Sequence, residues 1–227
     1  MPTPTAGEIE RGYDRLHAEQ AFESSTYAAD LCRRHGPWTG RRVLDVGCGW
    51  GDFLSAAKKA GAEVHGLDIS PVAIAQARDR LGEADLRTGL AEELPWENET
   101  FDWVVCLGSL EHLTDPGRGV AEMRRVARHD GHIYINLPNI YWWRYVIRAW
   151  RRGEGPDHFQ PNEAFLPRAE WQRLLEENGL RVLRAETWRP RVVMNPLKPL
   201  LVVGSLIENL VPPNLANCFG FLAAPRA

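Results

Sequence analysis

The 227-residue chain has no long apolar run, no paired cysteines and no excess of basic charge, and each absence removes a class of function. Its longest apolar stretch, LLVVGSLIENLV at 200–211, carries Glu208 and falls short of the roughly 20 residues that span a bilayer. No transmembrane segment is expected. The opening residues MPTPTAGEIERGYDR contain no apolar core of the kind that directs secretion. Cys32, Cys48, Cys106 and Cys218 show no paired spacing, and Cys48 and Cys106 fall in or beside apolar strands, as suits reduced thiols in a cytoplasmic protein. A net charge of −3 gives no global drive toward nucleic acid, although arginines cluster between Arg144 and Arg152. What the chain does have is 44% apolar residues, enough for one sizeable core.

The first elements read as helices over residues 6–35, with Ile9, Tyr13 and Leu16 and then Tyr27 and Leu31 at helical spacing, ending at the breaker GPWTG. This lead-in, residues 1–40, reads as an N-terminal helical lid on a domain spanning 41–227. From Arg41 strands and helices alternate: RVLDVG, then the helix DFLSAAKKAGA, VHGLDIS, the helix PVAIAQARDRLG, ADLRTG and FDWVVCLGS. A helix over GVAEMRRVARHDG and a strand HIYINLP follow, while GLAEELPWENET reads as a loop. Strands separated by helix-length segments predict right-handed crossovers and a mostly parallel sheet, an α/β fold of Rossmann-like design. After Pro138 come an aromatic and basic helix YWWRYVIRAWRRG, a Gly/Pro loop, and a helix RAEWQRLLEENG stopped at Gly179. Two last strands, RVLRAETW and CFGFLAAP, flank a proline-rich insertion at 190–216 and are placed to pair antiparallel at the sheet edge.

The chemistry centres on VLDVGCGWGDF, residues 43–53, where a glycine loop leaves a strand and opens a helix. A dinucleotide site calls for GxGxxG, whose third glycine lets helix and strand pack closely. Here the glycines are Gly47, Gly49 and Gly51, and Asp52 stands where that third glycine belongs. A carboxylate in the first helical turn opposes a pyrophosphate, because the helix terminus attracts phosphate through its positive potential. Asp45 and Asp68 add two carboxylates around the same crevice. The set favours a cofactor with cationic groups and no phosphate. S-adenosylmethionine has a sulfonium, an ammonium and a ribose diol, and Asp68, about 20 residues beyond the glycines, is placed to accept both ribose hydroxyls. Asp45 also has the plainer option of capping the loop amides.

VLDVGCGWGDF, VHGLDIS, AEELPW, FDWVVCLGSLEHLTDP and RHDGHIYINLPN, in this order and spacing, resemble the successive motifs of class I S-adenosylmethionine-dependent methyltransferases, most closely the ubiquinone-biosynthesis type. The resemblance is strong over 41–140 and looser to 227. It implies a seven-stranded sheet with a C-terminal antiparallel hairpin, and S-adenosylhomocysteine as product. It also implies that Gly47 and Gly49 lie against the methionine part of the cofactor, Asp68 holds the ribose and Ile69 packs on the adenine. Ala91 then offers its backbone to the base and the Leu107 carbonyl meets the ammonium. Many relatives carry Asp before the Ala-Glu pair, whereas this chain has Leu90, which leaves Glu92 as the acidic candidate for the adenine.

Methyl transfer is an in-line displacement, so the protein mainly aligns reactants and excludes water, adding a base where the acceptor is weakly acidic. His112 in SLEHLTDP is the first candidate base, at the sheet's carboxyl edge; the alternative is a structural histidine beneath a helix capped by Asp115. His158 in GPDHFQPN is the second. Some quinone-pathway relatives hold a divalent metal with two Glu and this His; here Glu111 and His112 match but the first position is Gly108, so no required metal is expected. Asn136 and Asn139 either bond the acceptor or form the turn at Pro138. The helix around Arg144 is either packed and solvated in the ordinary way or turned toward an anionic acceptor, a carrier protein or an anionic lipid surface. Leu200, Val203, Ile207, Leu210 and Val211 form a helical stripe, as core, dimer surface or the wall of an apolar acceptor pocket. The expected partner is a small-molecule methyl acceptor, anionic or apolar, served by a monomer or homodimer. O-methylation leads on resemblance, with N- or C-methylation, a nicotinamide-dependent oxidoreductase and a non-catalytic regulatory module as alternatives.

Overall fold

The computed structural model describes residues 5–19, 26–156, 163–188 and 210–226. Seven strands form one sheet: β1 (Arg42–Val46), β2 (Glu63–Asp68), β3 (Asp85–Thr88), β4 (Phe101–Leu107), β5 (Ala127–Pro138), β6 (Leu180–Trp188) and β7 (Cys218–Pro225), in the spatial order β3-β2-β1-β4-β5-β7-β6. The first five pair in parallel, and β7 runs antiparallel to both β5 and β6. The expected parallel sheet and antiparallel last strands are therefore both present. In addition β7 lies inside the sheet and β6 forms the edge.

The helices are α1 (Ala6–Glu19), α2 (Thr26–Arg34), α3 (Asp52–Lys59), α4 (Pro71–Leu81), α5 (Pro116–Val126), α6 (Trp143–Arg152) and α7 (Arg168–Glu177). Their starts follow local chemistry. Ser70 Oγ accepts from the Ala73 amide at 3.1 Å with Pro71 in the first turn of α4, and Asp115 Oδ1 accepts from the Arg118 amide at 3.0 Å ahead of Pro116 in α5. The expected helix over GVAEMRRVARHDG is wrong at its end. It stops at Val126 and the chain enters β5 at once, because Ala127 pairs with Phe101 and Gly131 passes so close to the Phe101 and Asp102 carbonyls that a Cβ there would sit 3.1 Å from each. The exposed Arg128, His129 and Asp130 form the irregularity between the two registers.

Strand side chains alternate between two apolar clusters. Leu44 and Val46 join Phe101, Met123 and Trp171 on one face, while Val43 joins Ala28, Leu31, Phe53 and Trp38 on the other. Thus α2 belongs to the core, and Leu31 is fully buried. The apolar insertion stripe Leu200, Val203 and Ile207 lies outside the described residues; Leu210 is exposed and Val211 half-buried. Burial pushes the Cys48 and Cys106 thiols well above their usual range, which keeps them protonated. Among the described residues no helix is long and apolar enough to cross a membrane.

One polar hub ties the edge strand to α2. The Glu186 carboxylate takes the Tyr134 hydroxyl at 3.0 Å, Arg34 Nη1 at 3.1 Å and His35 Nε2 at 3.3 Å, and these partners hold its pKa down at about 2. A depressed folded-state pKa gives stability that is present above the unfolded value and lost as pH falls through the folded one. Glu186→Gln is therefore expected to lower stability by about 1–2 kcal/mol at pH 7 in chemical unfolding, with the deficit shrinking between pH 4.5 and 2.

Candidate active site

The glycine loop between β1 and α3 is shaped by three residues with φ of +75°, +50° and +75°, Gly47, Gly49 and Gly51. Its amides turn inward: Gly47 and Cys48 donate to the Leu67 carbonyl at 2.7 and 3.0 Å. Asp68, at the end of β2, completes the turn. Its Oδ2 accepts from the Gly49 amide at 2.8 Å and its Oδ1 from the Ser70 amide at 2.9 Å. A side chain on Gly47 would strike Ser109, on the loop after β4.

Beside this loop lies a cavity of about 270 Å³, walled by Tyr27, Asp45, Gly49, Phe53, Leu107 and Asn136 among others. Asp45 is 3% exposed and its Oδ1 has no hydrogen-bond partner. It does not cap the loop; Asp68 does. Burial, then the neighbouring Asp68 and Asp52, push the Asp45 carboxyl up to about 8. Asp52 is itself paired with Arg80. A cation placed in the open volume beside this carboxyl would favour its ionised form.

Asp45, Gly47, Gly49 and Leu107 are thus gathered at one cavity. Asp68 underlies the loop, and Ile69, half-buried, follows it. Ala91 is buried in the segment after β3. Glu92 is committed differently from the expectation for an adenine contact: its Oε1 takes the Thr114 hydroxyl at 2.8 Å, the Thr114 amide at 3.0 Å and the Asp115 amide at 3.2 Å. It braces the turn that leads into α5.

His112 ends a short 3-10 turn, Leu110–His112, after β4, is 7% exposed, and stands edge-on to Tyr13 with ring centroids 5.9 Å apart. Its Nε2 is 3.9 Å from Glu111 Oε1. The Glu111 Oε2 has no hydrogen-bond partner, and burial, with Glu163 nearby, pushes its carboxyl up to about 8. Gly108 contributes no side chain, and among the described residues no three His, Cys, Asp or Glu side chains are grouped to hold a metal ion. His158 lies outside the described residues. Asn136 lines the cavity, whereas Asn139 is a turn residue: its Nδ2 donates to the Asn214 and Ala216 carbonyls at 2.9 and 2.8 Å.

The sequence showed α1 and α2 as a helical lead-in but not the contacts that they make at the site. Tyr27 was counted only in an apolar stripe, yet it walls the cavity and its hydroxyl lies 3.0 Å from that of Tyr134. On α1, Asp14 Oδ1 accepts from the Ser70 hydroxyl at 2.5 Å while Tyr13 meets His112, so one helix bridges the carboxyl ends of β2 and β4.

The model of a family described as "Methyltransferase domain" matches residues 44–135, the span that holds the glycine loop, Asp68, Glu92 and His112. The ubiquinone biosynthesis O-methyltransferase of Hahella chejuensis is 31% identical over 207 residues, covering 81% of this chain and 85% of that protein. The chain belongs to the class I S-adenosylmethionine-dependent methyltransferases. A counterpart from Aromatoleum aromaticum is 36% identical over 123 residues, and that match spans about half of the relative's length, 53%. Among solved structures, the magnesium protoporphyrin IX methyltransferase of Synechocystis PCC 6803, with bound S-adenosylhomocysteine, shares the methyltransferase fold at a TM-score of 0.60, 18% identity and coverage of 97% and 86%. In this methyltransferase the residues present fit the family's cofactor: Gly47 lines the cavity with no room for a side chain beside Ser109, and the buried Asp45 Oδ1 beside it has no hydrogen-bond partner.

Proposed function

We propose that this chain binds S-adenosylmethionine at the Asp45 cavity and passes its methyl group to a hydroxyl of a small, anionic or apolar acceptor, in the cytoplasm and without a required metal. The observation that carries the proposal is the buried, unpartnered Asp45 carboxylate walled by a phosphate-averse glycine loop. The cofactor supplies a methyl group already activated on a sulfonium. Asp45 and the Leu107 carbonyl answer its positive charge, Gly47 and Gly49 leave room for it, and Asp68 offers its remaining lone pairs to the ribose. Ile69 and Ala91 flank the adenine. Glu92 contributes its second oxygen at most, since the first is engaged by Thr114 and Asp115. The helix α1, held by Asp14 and Tyr13, serves as the lid that keeps water out.

His112 is proposed as the base that takes the acceptor's proton, with His158 as the second candidate. The relatives' printed name is the support for an O-methyl product. His112→Gln is expected to lower kcat by about 10²–10⁴ with the cofactor's Kd within about threefold of the parent. An unchanged kcat would return His112 to a packing role beside Tyr13. Incubation with methyl-labelled S-adenosylmethionine and fractionated host extract tests the whole proposal. Label in one fraction identifies the acceptor; label in none, with the cofactor bound in a control titration, favours the non-catalytic module. Unchanged turnover in excess chelator is the expected result for the metal.

A further inference from the structure

We infer that a further cavity, at the β6 edge of the sheet, binds a small soluble phosphomonoester, and that this ligand strengthens cofactor binding; the second half rests on the Asp45 cavity holding the cofactor. The edge cavity measures about 370 Å³. Three elements far apart in sequence each bring it one guanidinium group: Arg34 at the end of α2, Arg168 at the start of α7 and Arg184 on β6. Its charge is lopsided. The three arginines meet one carboxylate, Glu186, an excess of two positive charges in a chain whose net charge is −3. That carboxylate is already divided, with Arg34 Nη1 at 3.1 Å from Oε1 and Arg184 Nε at 3.7 Å from Oε2. Among the described residues no carboxylate pairs with Arg168, whose side chain is exposed.

Planar guanidinium forks take the oxygens of an anion two at a time. An excess of two charges selects a dianion, and a phosphate monoester carries about 1.5–2 negative charges at pH 7. Pro213 and Phe219 add an apolar wall for the organic part of the ester. The volume falls within the range of small-molecule sites, which begins at roughly 300 Å³.

Glu186 also connects this cavity to the other one. It holds α2 at both ends, Arg34 directly and Tyr27 through Tyr134. Tyr134 commits its one hydroxyl proton to Glu186 at 3.0 Å, so in the pair with Tyr27, also 3.0 Å apart, Tyr27 is the donor. Tyr27 and Ala28 wall the Asp45 cavity from the first turn of α2. A phosphoryl group gripping Arg34 therefore restrains the helix that carries this wall before the cofactor arrives. Two ligands that order the same helix favour each other.

The test is calorimetric titration of the full chain with phenyl phosphate, first alone and then with S-adenosylhomocysteine present. Phenyl phosphate is expected to bind one site about tenfold more tightly than phenyl sulfate, the monoanion of the same shape. Arg168→Ala and Arg184→Ala are each expected to weaken it about tenfold, with unfolding temperatures unchanged because both side chains are exposed. Saturating phenyl phosphate should slow amide hydrogen exchange in α2 and tighten S-adenosylhomocysteine about fivefold, with an equal reciprocal effect. Arg34→Gln should remove that coupling even when phenyl phosphate is saturating. Equal binding of phenyl sulfate, or variants that bind like the parent, overturns the site. Binding to vesicles containing phosphatidic acid with none to phenyl phosphate also overturns it, and assigns the arginines to a lipid headgroup. Unchanged α2 exchange and unchanged S-adenosylhomocysteine affinity at saturation overturn the link between the cavities. The titration and the exchange measured without S-adenosylhomocysteine stand apart from the Asp45 cavity, so failure here and failure of the proposed cofactor site are separate results.

Discussion

Gly47→Ala is expected to abolish measurable cofactor binding and to lower the folded protein's stability by about 2–5 kcal/mol, about 1–2 from a side chain held at positive φ and the rest from overpacking. The residue sits at φ +75°, and the new methyl group would run into the Cβ and Oγ of Ser109. Ser109 is itself tethered, its hydroxyl donating to the Gly47 carbonyl at 3.3 Å, so relief by moving it also unhooks the loop after β4. The double variant with Ser109→Gly separates the two causes. It should recover the overpacking share and leave the backbone strain, in urea unfolding and in a cofactor titration alike. Full cofactor affinity in Gly47→Ala would mean that this loop is not the cradle.

Asp45→Asn should move stability and binding in opposite directions. In the folded protein Asp45 ionises only near pH 8, against 3.8 for an ordinary aspartate. A raised folded-state pKa means that the folded form holds its proton more tightly than the unfolded one. The unliganded protein should accordingly lose stability as pH rises from about 4 through about 8, by a few kcal/mol from this group, with Glu111 adding a slope of the same sign toward its own value of about 8. Asparagine keeps the shape and removes the charge. Unfolding of the variant without cofactor at pH 8 should therefore require more denaturant than the parent, with little difference at pH 4. The same change removes the counter-charge for a cation and should weaken S-adenosylmethionine at least tenfold in calorimetry. A variant no more stable at pH 8, and binding as tightly as the parent, would show that Asp45 is neither buried as a liability nor used as a partner.

The sheet was legible because its inner strands are continuous apolar runs. RVLDVG and FDWVVCLGS need burial on both faces, and only a parallel sheet covered by helices supplies it. The end of α5 was not legible. Val120, Met123 and Val126 keep the helical period, and Ala127 leaves it for reasons found only in its partner strand, the pairing with Phe101. At the site, Asp45, Gly47, Gly49 and Leu107 could be grouped from one strand, one loop and the next strand's end. Asp68's hold on the loop amides could not, since a carboxylate at that spacing serves a ribose or a backbone equally well. Tyr27 gave no signal at all, because a tyrosine on an amphipathic helix is counted with the apolar residues until its hydroxyl is seen beside Tyr134. Glu92 illustrates the converse. Its acidity near the adenine side invited a ligand role, and the nearby Thr114 and Asp115 amides, distant in sequence, claimed it first.

The place of β7 sets an order of assembly. Among the described residues β6, which precedes β7 in the chain, pairs with β7 alone, and β5 gains its second neighbour from β7. As the chain emerges during synthesis, β1 to β5 have everything they need to pair, while β5 keeps one bare flank and β6 waits without a template. The arrival of β7 joins both at once and brings Phe219 and Phe221 into the core in the same event. Until then the chain presents an unpaired strand border flanked by unfilled apolar space, the condition in which mispairing between nascent chains competes with folding.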